Sequence, residues 1–380
     1  MKILLIGGTG TISGGMAEEA VKRGYDVTLL NRGHSDFRCP KGAQVIHCDI
    51  NNTQQARECL AGKQYDVIID PITYNVNSLK NKINLFASHC KTYMFISSTA
   101  AIGNNDGVQD EYSDKNPKWS YGINKLDCEK YLQTAKLPFN YIIIRPSITY
   151  GDIRIPIPVA CRKNPYTVID RIINDRPLIC FEYTGEHESY HKLMDIRDFS
   201  VYAVEVLGKE YAINNDYIIC ADQAYSWEEA YSLLYEKLNA QEHVYQVNGE
   251  VFKYLNPSLY DDFLYDKGSK QSLFSKEKIK KDTQIELDEI PLQKGIEHLV
   301  DYLQKNFSSK PLEKDYNLMT DAALMYDVKD KDEFLTNYIK TLPITYLAEV
   351  KAFYKNCKRK KNILYRALRK MKSIIKKIIK

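Results

Sequence analysis

The sequence predicts an α/β protein built on a doubly wound parallel sheet, with a smaller second lobe and a basic helical tail. Three observations predict it. Short apolar runs alternate with helix-length stretches through the first part of the chain, a glycine-rich segment follows the first apolar run, and the alternation gives way to a proline-rich texture after Pro146.

The elements follow in order. Residues 2–6 form an apolar strand, 7–15 are glycine-rich, 16–23 have helical composition ending at Gly24, and 26–30 read as a second strand, which makes a βαβ unit. The apolar stretch at the start is short and runs directly into glycines, so it reads as a strand and not as a secretion signal. Further strands are expected at 44–48, 65–70, 92–97 and 140–145, separated by helices at 52–62, 77–90 and 121–136, the spacing of a parallel sheet with crossover helices. Beyond Pro146, residues 153–158 are proline-rich, 165–174 look helical and 177–183 form a short strand. Residues 194–207 begin with Asp195 and Asp198 at the head of an apolar helix, 217–221 read as a strand returning to the main sheet, and 227–238 as a further helix. The expected organisation is a first domain over 1–160 with a return of 194–222, a second lobe over 161–310, and a helical extension over 311–380.

Composition narrows the classes. No apolar run approaches the ~20 residues needed to cross a bilayer. The nine cysteines are odd in number and scattered, with no metal-ligand spacing, so reduced cytoplasmic thiols and no metal are expected. The net charge of +4 conceals a polarity: residues 351–380 hold 13 Lys or Arg and no acid, leaving 40 basic against 49 acidic side chains, or −9, in residues 1–350. A mildly acidic body argues against a nucleic-acid-binding core and confines any anionic surface partner to the C-terminus. There Leu364, Leu368, Met371, Ile375 and Ile378 recur at three-to-four spacing among cations. The expectation for 360–380 is a helix that either docks on an anionic membrane, at its inner face, or packs on the acidic body or a second subunit of a homodimer, with RNA a distant third partner.

Chemistry concentrates at four places. Gly7, Thr9, Gly10, Thr11, Ile12 and Ser13 lie between the first strand and first helix, where glycines let the backbone approach a pyrophosphate and a helix N-terminus offers N–H donors. The second strand ends on Asn31-Arg32, lacking the acid that accepts hydrogen bonds from the NAD ribose; arginine there favours the 2′-phosphate of NADP. Asp49, followed by Ile50, either binds the adenine amino group or caps the next helix. Finally, Tyr121 and Lys125 stand four apart on one helix face, so that the ammonium favours the phenolate and makes the tyrosine usable as a base.

In order and spacing, Gly7 to Ser13, Asp49, Ser97-Ser98, Tyr121/Lys125 and Arg145-Pro146 resemble the extended short-chain dehydrogenase/reductases, the superfamily of nucleotide-sugar epimerases, dehydratases and reductases. The run from Phe95 to Gly103, Tyr150-Gly151 and Met194 to Asp198 extend the resemblance, which covers residues 1 to about 305. It implies a Rossmann-type domain binding NADP or NAD. In it Ser98, with Thr99 as fallback, would hydrogen-bond the reacting hydroxyl or carbonyl, Tyr121 would exchange its proton, and Lys125 would bind the nicotinamide ribose. Four departures stand out. Ala100-Ala101 replace the Asp-Glu pair of family dehydratases, which sets elimination of water aside. Ser13 replaces the third fingerprint glycine, and Ile72-Thr73 replace small alanines beside the cofactor. His191 stands where many members have an arginine for the substrate diphosphate, for which Lys192, Arg154, Arg162 and Arg176 are substitutes. The expected function is NAD(P)-dependent epimerisation of a nucleotide-activated or other sugar through a keto intermediate. The alternatives are an NADPH-dependent keto-sugar reductase and a non-catalytic dinucleotide- or RNA-binding member.

Overall fold

The computed structural model describes residues 1–103, 107–182, 189–267 and 271–360. The chain divides into two compact units, the first comprising 1–156, 190–226 and 271–299, the second 157–189, 227–270 and 300–380.

The first unit is organised by a seven-stranded sheet. Strands β1 (Lys2–Ile6), β2 (Asp26–Asn31), β3 (Gln44–His47), β4 (Tyr65–Asp70), β5 (Cys90–Ile96) and β6 (Asn140–Pro146) are joined at one edge by Asn215–Ile219. The order from that edge is Asn215–Ile219, β6, β5, β4, β1, β2, β3, and every pairing is parallel. Both faces are covered, because alternate residues of each strand point to opposite sides and nearly all are apolar. On one side Ile3, Leu5, Val67, Ile69, Met94, Ile96 and Ile142 pack with α1 (Thr11–Lys22) and the helix Ile196–Glu205. On the other, Leu4, Ile6, Ile68, Tyr93, Phe95 and Ile143 pack with α2 (Thr53–Leu60), α3 (Val76–Phe86) and α4 (Ser120–Thr134). Strand order reverses between β4 and β1, so the carboxyl ends of these two strands flank the crevice at which such sheets receive ligands.

Three local readings of the sequence are corrected. The first helix begins at Thr11 and not at residue 16. Gly10 is its N-cap, and its N–H donates to Ser13 Oγ (2.9 Å), so the serine anchors the first turn. The returning strand is Asn215–Ile219, two residues earlier than expected. Residues 271–299 belong with the first unit, because Lys278 Nζ donates to Asn215 Oδ1 (2.7 Å), Tyr217 to Asp282 (2.8 Å) and the Ile290 N–H to Asp198 (2.7 Å).

In the second unit the strand Leu178–Phe181 pairs in parallel with Val244–Val247. Beside them the helices Tyr166–Ile173, Lys314–Tyr326 and Glu333–Thr341 are joined by a buried polar knot. Arg171, fully buried, donates to the Pro177 carbonyl (2.7 Å), Asp321 (2.7 Å) and Asn317 (3.1 Å), while Tyr338 (2.9 Å) and Tyr346 (2.6 Å) donate to Asp321. Burial opposes ionisation of Asp321, yet Arg171 and the two phenols hold its carboxyl below the usual range. Residues 311–360 are thereby built into this unit. Replacing Arg171 with Leu leaves the buried Asp321 charge without its cation and is expected to cost about 3–5 kcal/mol; denaturant unfolding of the variant checks this, and a loss below about 1 kcal/mol would contradict the role given to the knot.

Candidate active site

The glycine loop leaves β1 through Gly7, whose N–H donates to the Leu30 carbonyl (2.8 Å). At Gly8 a left-handed backbone (φ 63°) coincides with a close approach, since a Cβ there would lie 2.8 Å from Leu29 Cδ2; only glycine fits. Thr11 and Ile12 form the first turn of α1, where the N–H groups point outward. Arg38, which sequence reasoning passed over, reaches this loop by donating from Nη1 to the Thr9 carbonyl. Its Nε is buried with no hydrogen-bond partner among the described residues, an unsatisfied cationic donor that suits a phosphate.

At the end of β2, Asn31 is buried, with Oδ1 accepting from the Gly33 N–H (2.8 Å) and Nδ2 donating to Cys39 Sγ (3.7 Å). Arg32 follows it and is exposed. Asp49 does not cap the next helix. Asn52 does, accepting from the Gln55 N–H (3.2 Å), while Asp49 Oδ1 accepts from the N–H of Asn51 (3.0 Å); Ile50 is buried beside it.

Ser98 sits just beyond β5 as N-cap of a short turn, Thr99–Ala101, with Oγ accepting from the Ala100 N–H (3.2 Å). Thr99 is buried and donates to the Pro146 carbonyl (3.3 Å). The start of α4 lies directly against this turn: a Cβ on Gly122 would lie 2.2 Å from the Ala100 carbonyl oxygen, a contact only glycine permits. That approach brings the α4 turn bearing Tyr121 beside the Ser98 turn. The Tyr121 ring lies between Trp119 (centroids 5.0 Å) and Tyr74 (6.2 Å) and is half-buried.

One turn further along α4, Lys125 is almost wholly buried. Its Nζ donates to the carbonyls of Thr73 (2.8 Å) and Ile96 (2.7 Å), and lies 5.9 Å from the centroid of the Tyr121 ring. Thr73 is fixed in turn: its hydroxyl donates to Asp70 (2.7 Å), which also accepts from Tyr93 (2.6 Å), from the Ile72 N–H (2.9 Å) and from Lys82 (2.9 Å). Four residues beyond Lys125, Glu129 is buried and accepts from Arg145 (2.7 and 2.9 Å) and from Ser97; Arg145 also pairs with Asp216 (2.5 Å). Sequence reasoning missed Asp70 and Glu129. Glu129 carried a usable signal, since it continues the face of Tyr121 and Lys125 at helical spacing.

His191 and Arg176 are the remaining expected substrate ligands. His191 is fully buried in the short strand Tyr190–His191, paired with Tyr225–Ser226, and so offers no exposed surface to a diphosphate. Arg176 belongs to the second unit, where it pairs with Asp170. Among the described residues, no group of three or more His, Cys, Asp or Glu could hold a metal ion.

Burial pushes the Lys125 ammonium down to about 8, against the attraction of Asp70, so it stays largely cationic at neutral pH. Below pH 8 folded and unfolded chains both hold this proton. Between pH 8 and the unfolded value of ~10.4 only the unfolded chain keeps it, so stability rises with pH there by up to about 1 kcal/mol per unit. Lys125→Met lacks the effect: wild-type minus variant unfolding free energy, measured from pH 7 to 10, is expected to climb above pH 8, and a flat or falling difference would contradict the buried cation.

The model of the NAD dependent epimerase/dehydratase family matches residues 3–217. Among solved structures the chain is similar to the UDP-glucose 4-epimerase of Thermotoga maritima with UDP-glucose, at 17% identity over 80% of this chain and 99% of that one, with a TM-score of 0.63. It is similar to the UDP-glucuronic acid 4-epimerase of Bacillus cereus in complex with UDP-glucuronic acid and NAD, at 18% identity over 80% and 99% of the two chains, TM-score 0.64. The UDP-glucose 4-epimerase of Thermus thermophilus in complex with NAD gives 15% identity over 80% and 100%, TM-score 0.64. These likenesses show the fold. No curated protein matches the chain.

Proposed function

Because the chain belongs to the NAD dependent epimerase/dehydratase family, we propose that it is an epimerase of a nucleotide-activated sugar, working through a keto intermediate with Tyr121 as its acid and base. The observation that carries the reading is the junction of the Ser98 turn with α4, where Gly122 abuts Ala100 and a buried lysine cation lies 5.9 Å from the Tyr121 ring.

The glycine loop, the first turn of α1 and Arg38 would hold the phosphates of a dinucleotide, and Lys125 its nicotinamide ribose. When bound, that cofactor supplies reversible two-electron redox chemistry at a sugar carbon. The chain's own residues supply the proton chemistry. Ser98 Oγ hydrogen-bonds the sugar oxygen; the Tyr121 phenolate, favoured by the Lys125 ammonium, accepts the hydroxyl proton as the carbonyl forms and returns it when the carbonyl is reduced. Ala100 and Ala101 carry no group able to transfer a proton, which suits a reaction without loss of water. The similar structures include proteins described with UDP-glucose and UDP-glucuronic acid, so UDP-hexoses and UDP-hexuronic acids are the substrates of first choice.

A second reading is favoured by the ground around β2. Asn31 stands in place of an acid, its oxygen already accepting from Gly33, and Arg32 and Arg38 add positive charge, as suits the 2′-phosphate of NADP and a one-way keto-sugar reductase. The two readings separate on cofactor turnover: an epimerase interconverts sugars with no net consumption of reduced dinucleotide and retains it through purification.

Tyr121→Phe removes one hydroxyl and is expected to lower kcat by roughly 10²–10⁴-fold with KM little changed. Steady-state assays on UDP-sugars, with product sugars resolved by chromatography, measure this. Turnover unaffected by the change would end the proposed mechanism.

A further inference from the structure

The second unit ends in a helix over 344–360 that presents an unusual surface. Lys351, Lys355, Lys358 and Arg359 recur at the i, i+4, i+7, i+8 spacing of one helical face and all are exposed. Glu349, the one acid of this helix, is engaged with Lys314 (2.7 Å), and among the described residues no carboxylate lies within 4.0 Å of the four cations. Beside them Tyr326 stacks on Tyr354 (centroids 4.3 Å), and Lys358 Nζ stands 4.2 Å from the Tyr354 ring centroid. The hydroxyl of Tyr354 donates to Asp327 (3.2 Å), which fixes the ring. The four cations and two tyrosines line a cavity of about 430 Å³.

We propose that this face docks on an anionic lipid bilayer, the cations pairing with headgroup phosphates while the exposed Tyr326, stacked on the buried Tyr354, settles at the level of the headgroups. The reading is independent of the catalytic one. Charge complementarity commits it to an anionic partner, since residues 351–380 hold 13 Lys or Arg and no acid. The sequence beyond residue 360, outside the described residues, selects the bilayer over RNA. Leu364, Leu368, Met371, Ile375 and Ile378 are interspersed with the cations, and a hydrocarbon layer rewards burial of such side chains whereas a phosphodiester backbone does not. The exposed Tyr326, with one apolar and one polar end, suits the same boundary.

The test is co-sedimentation of the full-length protein with vesicles of phosphatidylcholine alone or mixed with phosphatidylglycerol, at low and high salt, alongside binding of poly(U). Pelleting is expected with the anionic vesicles only and is expected to weaken at high salt. The full-length variant K351Q/K355Q/K358Q/R359Q, with residues 361–380 intact, is expected to bind on the order of 100-fold more weakly. If that variant loses cooperative thermal unfolding, K355Q/R359Q decides the matter, with a loss on the order of tenfold expected. Equal pelleting with both vesicle types, no pelleting, undiminished binding by the folded variant, or tighter binding of poly(U) than of anionic vesicles would each overturn the proposal.

Discussion

A lysine cation buried between the carbonyl ends of two neighbouring strands is the constraint on which the geometry of the candidate site depends. Lys125 joins Ile96, the last residue of β5, to Thr73, in the turn that follows β4, and it does so from α4. Three separate crossovers are thereby held at one point. A buried ammonium without such partners would cost several kcal/mol, so the two carbonyls are a condition of its presence and the turn after β4 cannot drift without exposing that cost. Asp70 holds the same turn from the opposite side through the Thr73 hydroxyl and the Ile72 N–H, with Lys82 balancing its charge.

Polar contacts therefore fix the position of α4 as much as apolar packing does. Its buried face mixes Leu126, Cys128 and Leu132 with Gly122, Lys125 and Glu129. Gly122 sets how closely the helix approaches the Ser98 turn, Lys125 fixes it to β4 and β5, and Glu129 fixes it to Arg145 on β6 and to Ser97. Apolar side chains alone would tolerate small rotations of the helix, whereas three directional contacts at successive turns tolerate little. In the proposed mechanism the Tyr121 phenol meets a sugar oxygen within hydrogen-bond reach, which needs that second kind of support.

The sheet was legible because its strands are short apolar runs separated by helix-length stretches, and no local feature competes with that period. The start of α1 was not, since Thr11, Ser13, Gly14 and Gly15 are poor helix residues in isolation; the Gly10–Ser13 cap and packing behind the loop override propensity there. Residues 271–299 were assigned to the wrong lobe because the contacts that bind them to the first unit, such as Lys278 with Asn215 and Tyr217 with Asp282, span more than sixty positions and leave no periodic trace. In the site, Tyr121 and Lys125 were visible as a spacing, whereas Arg38 was not. Its importance comes from a chain reversal after β2 that carries it back to Thr9, and nothing local to Arg38 announces that.

The same burial that positions Lys125 also limits the pH range over which it can act. Held down to about 8, the ammonium is present at neutral pH and is lost as the pH rises above that value. In the proposed epimerisation Tyr121 accepts the sugar hydroxyl proton as the carbonyl forms and returns it to that oxygen when the carbonyl is reduced, so neither protonation state can be strongly preferred. A cation only just retained at neutral pH keeps that balance, because it assists the phenolate without trapping it.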